Sequence, residues 1–222
     1  MGNTSKGKDN KGGSKDWMQT IINSNKYSDL RSALDKNIGE GNIEWLSPLE
    51  DDNYQEYQLN HRPIADNFNF DKNTFSSWWP FPRQPQWDAI GKTDDGTIIL
   101  VEAKAHIKET RSKCRTTEQS YERIKDSLKK SYHNFSPKVS FDEILWMKRY
   151  YQIANRLFFW DKLQPKNKTI LVFLNFYNVP CFITSKDRWD KYMQKVFDSL
   201  LGCGVSELPS GIKIINFEIT KK

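Results

Sequence analysis

Within the twenty residues from Trp87 to His106 (WDAIGKTDDGTIILVEAKAH), an aspartate precedes a turn signal, and a glutamate and a lysine close the apolar run after it. A strand period of two puts Glu102, Lys104 and His106 on one face, about 6–7 Å apart in succession. Ile98 and Leu100 continue that face inward. Burying Glu102 and Lys104 unpaired is costly, so they need partners, a metal or solvent. The Thr93-Asp94-Asp95-Gly96 stretch predicts a hairpin that folds the strand carrying Asp88 back alongside Glu102. Two close carboxylates repel unless a cation lies between them. Mg²⁺ suits such a place, since it takes one or two carboxylates and fills its other positions with water and phosphate oxygens. It would make hydroxide more available and neutralise charge on a phosphorane. Lys104 would then orient or deprotonate the attacking water, or stabilise the pentavalent transition state.

The elements that must position these groups are read from periodicity. Gln86 to Ile90 predicts a strand with Asp88 and Ile90 on one face, Trp87 and Ala89 on the other. Thr97 to Ala105 predicts a second strand, and its Ile98-Ile99-Leu100-Val101 run marks it as central and covered on both sides. Ahead of them, helical spacing starts at Trp17 and ends near Gly39, and a short helix is expected from Asp51 to Leu59, with Glu56 in its middle. Taken alone, Glu56 is as readily a surface carboxylate. Residues 62–86, rich in proline and aromatics, are expected to run extended over the domain, the rings anchoring the loop or offering stacking faces to bases.

After the central stretch, Thr116 and Gln119 fit a capping box opening a helix from about Thr117 to Ser131. Asp142 caps a longer helix to about Leu163, with a polar stripe of Lys148, Gln152, Asn155 and Arg156 on an otherwise apolar surface. A strand over Thr169–Phe176, a helix over Lys186–Leu201 and a strand over Ile212–Ile219 complete the order. This is an α/β pattern, read as one domain over residues 16–222 behind a disordered polar tail, residues 1–15, taken as a solvated tail in preference to a basic arm on a phosphate backbone.

A net charge of +6 and a pI near 9.0 suit a polyanionic partner. The three cysteines, Cys114, Cys181 and Cys203, are odd in number and widely spaced, which points to free thiols in a reducing compartment. No secretory leader is visible, and no run approaches the roughly eighteen apolar residues of a membrane span. The expectation is a cytoplasmic protein with no membrane partner.

Asp88 followed by Glu102-Ala103-Lys104, on a hairpin flanked by helices, resembles the signature of the PD-(D/E)XK nuclease superfamily, the restriction-endonuclease-like fold. WDAIG, LVEAKAH and YYQIANRL together resemble an uncharacterised bacterial group within it. The motif covers residues 87–106, and the element order extends the likeness from about Asp51 to Phe176. The resemblance implies a central mixed sheet flanked by helices and a Mg²⁺-dependent nuclease, with Mn²⁺ as substitute, hydrolysing DNA in preference to RNA. It implies Asp88, Glu102, the Ala103 carbonyl and Glu56 as metal ligands, and Lys104 and Gln152 as catalytic residues. His106 falls outside the general motif and, with Lys148, Asn155 and Arg156, stands as an accessory candidate. A homodimer would suit double-strand cleavage. The competing reading is a non-catalytic nucleic-acid-binding or assembly module on the same fold.

Overall fold

The computed structural model describes residues 12–71, 73–79 and 83–219. Five strands form one open, mixed sheet in the order β1 (Ile43–Ser47), β2 (Ala89–Thr93), β3 (Ile98–Lys104), β4 (Thr169–Tyr177), β5 (Ile212–Glu218). The first three run as an antiparallel meander, and β3, β4 and β5 are parallel. Parallel strands need long crossovers, and helices supply them here.

Helices cover both faces, which is why β3 is buried from end to end. Alternate residues of β3 enter separate cores. Ile99, Val101 and Ala103 pack with Ile21 of α1 (Ser14–Asn23) and with Leu34 and Ile38 of α2 (Ser28–Ile38). Ile98 and Leu100 face Leu128 of α4 (Glu118–Tyr132), Phe158 of α5 (Tyr151–Leu163) and Phe197 of α6 (Lys186–Leu201). The turn between β2 and β3 forms as its sequence dictates. Gly96 takes φ +80° and Asp95 Oδ1 accepts from the Thr97 N–H at 3.1 Å.

Several local expectations are corrected. Ser14 and Lys15, expected in the tail, belong to α1; residues 1–11, with the rest of the tail and basic-arm readings, lie outside the described residues. Residues 51–59 make no helix. A single 3₁₀ turn at Glu50–Asp52 ends where Asn53 and Tyr54 take positive φ, so Glu56 sits on irregular chain. A short helix, α3 (Arg62–Asn67), stands where extended chain was expected, its proline in the first turn where no backbone N–H is needed. Beyond it, Trp78 and Trp79 turn inward onto Phe158 and Phe159, with Phe75 against Trp78, as loop anchors and not as free stacking faces. Thr117, not Thr116, caps α4, accepting from the Ser120 N–H at 3.4 Å.

The expected helix from Asp142 to Leu163 is broken. Asp142 does cap its start, but Ile144–Arg149 forms a π-helical turn closed by the Tyr150 N–H on the Leu145 carbonyl at 2.8 Å, and α5 begins only at Tyr151. The short edge strand β1, Ile43-Glu44-Trp45-Leu46-Ser47, was not anticipated. Too short to show a convincing period, it is fixed by pairing with β2.

Candidate functional site

The strand period and the hairpin put Asp88 and Glu102 together. Ala89 pairs with Val101 in register, so Asp88, one residue earlier, falls opposite Glu102. Asp88 lies just outside β2 and not within it, at a bend, and its Oδ2 accepts the Ala103 N–H at 2.7 Å. N–H and C=O of one strand residue point to the same edge, so the Ala103 carbonyl also faces the Asp88 side. The bend redirects Trp87 as well. It was expected beside Ala89, yet its ring lies on the α5 side, in the core cluster of Leu100 and Phe158.

Glu102 is 1% exposed and fully engaged. Lys104 Nζ pairs with its Oε1, and Arg156 of α5 donates to Oε2 from Nε at 2.6 Å. The guanidinium is fixed on its other sides. It donates to the Gln86 carbonyl at 2.6 Å and lies over the Trp87 ring at 4.5 Å. Burial alone would raise Glu102, but the charges of Arg156 and Lys104 outweigh it and hold its carboxyl below the usual range. Burial would depress Lys104, but Glu102 and then Asp88 overcome that and push it up, so its ammonium stays protonated. Among the described residues no cation pairs directly with Asp88, and the charges of Lys104 and Arg156 only partly offset its burial. Burial, followed by the charge of Glu102, raises it to about 7.

Above this floor opens a cavity of about 370 Å³ lined by Glu56, Asp88, Gln152, Asn155 and Arg156. The residues proposed from sequence are thereby sorted. Glu56, though off any helix, reaches the cavity and pairs there with Lys15 at 3.1 Å. Gln152, Asn155 and Arg156 share the α5 face that lines it. Lys148 does not: the break at Tyr150 parts it from that face, and it lies exposed, 3.7 Å from Glu143. His106 stands apart too, past the end of β3. Its Nδ1 accepts the Lys108 N–H at 3.1 Å and its Nε2 is 3.4 Å from Glu109.

Three partners went unseen in the sequence. The Gln86 carbonyl and the Trp87 face orient Arg156, a role no spacing rule reveals. Buried Asn175 pairs in register with Lys104, so it extends the polar floor across β4. A lone asparagine in the apolar TILVFLNFY run was a readable signal of that.

Asp88, Glu102 and the Ala103 carbonyl offer oxygen only, which suits a hard cation, while Glu56 does not join the two carboxylates in one metal-holding group. Asp88 is raised first by burial and then by the charge of Glu102, and a cation beside it would offset both. Among the described residues no three acidic, histidine or cysteine side chains form a metal-holding group. Such an ion would therefore rest on few protein ligands and on water, as Mg²⁺ commonly does. Comparison with protein-family models, curated proteins and solved structures returned no match. Among the described residues no helix is long and apolar enough to cross a membrane.

Proposed function

We propose that this chain is a Mg²⁺-dependent nuclease that hydrolyses phosphodiester bonds, in DNA in preference to RNA, on a restriction-endonuclease-like core. One observation carries the reading: Asp88, on the wall of a cavity that Glu56 and Gln152 also line, falls opposite Glu102, which is paired with Lys104 behind that wall. The meander β1–β2–β3, joined through helices to parallel β4, is consistent with the mixed sheet such a core requires.

When bound, the metal supplies an activated water and a counter-charge for the phosphorane. The chain's own groups do the rest. Asp88 and Glu102 present carboxylate oxygens side by side, placed opposite one another by the hairpin register. Lys104, kept protonated by its two acidic neighbours, acts as a fixed positive hydrogen-bond donor toward water or the scissile phosphate and not as a base. Arg156 holds Glu102 in one rotamer and brings a second cation to the cavity wall. Gln152 offers an amide toward the same space.

The test is incubation of linear and supercoiled DNA with the protein and Mg²⁺ or Mn²⁺, beside Glu102→Ala and Lys104→Ala. Metal-dependent cleavage by the wild type alone supports the proposal; equal background nicking by all three ends it. A second reading, the non-catalytic nucleic-acid-binding module, draws on the fact that both Glu102 oxygens are already satisfied by Lys104 and Arg156. It expects salt-dependent binding that ignores metal, without cleavage.

A further inference from the structure

A second concavity, of about 460 Å³, lies beyond the C-terminal end of β3. Its walls combine three cations, Lys108, Arg111 and Arg188, with His106, Phe182 and Ile183. Among the described residues none of those cations is in an ion pair, whereas Lys186, two residues before Arg188, pairs with Asp190. Glu109, next to Lys108 in sequence, is already engaged by the Ala105 N–H at 2.9 Å and by His106. The apolar part is open as well. Phe182 is 38% exposed and Ile183 86%, and the Phe182 ring leans on His106 with centroids 4.4 Å apart.

We propose that this groove binds single-stranded nucleic acid, with Lys108, Arg111 and Arg188 on the phosphates and a base against Phe182. Unpaired cations beside an exposed aromatic face are what a single strand needs, because phosphates require charge and every base has a face that stacks. Concavity disfavours a flat lipid surface. Position favours a strand over an acidic peptide: the groove opens just past Lys104, the last residue of β3, with His106 and Lys108 on its wall. The groove thus lies at the end of the strand that carries Glu102 and Lys104, and in that respect it rests on the nuclease reading.

The experiment is fluorescence anisotropy of a labelled single-stranded oligothymidylate in EDTA, with wild type, Arg111→Ala/Arg188→Ala and Phe182→Ala. All three substituted side chains are exposed, and unchanged circular dichroism and melting temperature verify folding. The double variant is expected to bind at least tenfold more weakly, with a log–log salt slope shallower by about 1.4. Phe182→Ala is expected to lose roughly tenfold with the slope unchanged. Wild-type affinity in both variants overturns the proposal. So does a wild type that ignores the oligonucleotide but takes up anionic phospholipid vesicles or an acidic peptide. Mg²⁺-dependent cleavage, followed in parallel with Asp88→Ala, separates the two ideas. Groove-dependent binding without any cleavage leaves the groove standing and removes the nuclease. Asp88-dependent cleavage with groove variants that bind as wild type does the reverse.

Discussion

Arg156 meets Glu102 Oε2 with two nitrogens, Nε at 2.6 Å and Nη2 at 2.5 Å, while Lys104 holds Oε1. A buried carboxylate is thereby neutralised by cations from its own strand and from α5. The same contact ties the sheet to the helix that carries Gln152, so the geometry of the cavity depends on it.

Removing Arg156 leaves Glu102 buried with half its compensation. Arg156→Ala is expected to lower unfolding free energy by about 3–5 kcal/mol in urea denaturation. It also frees one oxygen of Glu102, so Mg²⁺ should raise the melting temperature of Arg156→Ala more than that of the wild type. Equal metal effects on the two proteins would show that Arg156 and the ion do not share this carboxylate.

Asp88 gives the site its own pH dependence. Its folded value, about 7, lies above its ordinary 3.8, so the folded state holds the proton more tightly than the unfolded one. That contribution to stability is complete below pH 3.8 and is lost as pH rises toward 7. Glu102, shifted downward, acts in the opposite sense, stabilising above 4.5 and losing its contribution in acid. In metal-free buffer Asp88→Asn should remove the decline between about pH 4 and pH 7, measured by thermal melts across that range. A decline of wild-type size in the variant would exclude Asp88 as its source.

Lys104 is expected to act through charge. Lys104→Ala should reduce the cleavage rate about a hundredfold or more with little change in KM. Lys104 also lowers Asp88 electrostatically, so its removal should move the acid limb of the pH–rate profile upward. A limb that disappears would mean that Lys104 itself titrates as the base, and one that stays in place would mean that Lys104 does not act on the titrating group.

Gly91 keeps β1 against β2. A Cβ there would come within 2.7 Å of Ile43 Cγ2 and 3.2 Å of the Trp45 ring. Gly91→Ala is therefore expected to cost about 1–3 kcal/mol in chemical denaturation. Neutral behaviour would show that this edge repacks freely.

Much of the architecture was legible because periodicity is strong where burial is complete. The apolar runs of β3 and β4, the Thr93–Gly96 turn and the amphipathic α6 all announce themselves in this way. What was lost depended on partners distant in sequence. Glu56 reaches the cavity on irregular chain, since the positive φ of Asn53 and Tyr54 ends the expected helix. Lys148 and Arg156 looked like one stripe, but the π-helical turn before Tyr150 separates them. Arg156 as the partner of Glu102, fifty-four residues away, follows only from the packing of α5 on the sheet.

The most direct test of the account is a crystal of the protein soaked in Mn²⁺, with an anomalous map calculated at the site. The account predicts a peak between the carboxylates of Asp88 and Glu102, with Arg156 withdrawn from Oε2. Saturating Mn²⁺ that leaves the position between them empty, with Arg156 still on Glu102, would contradict it and leave the non-catalytic module as the reading.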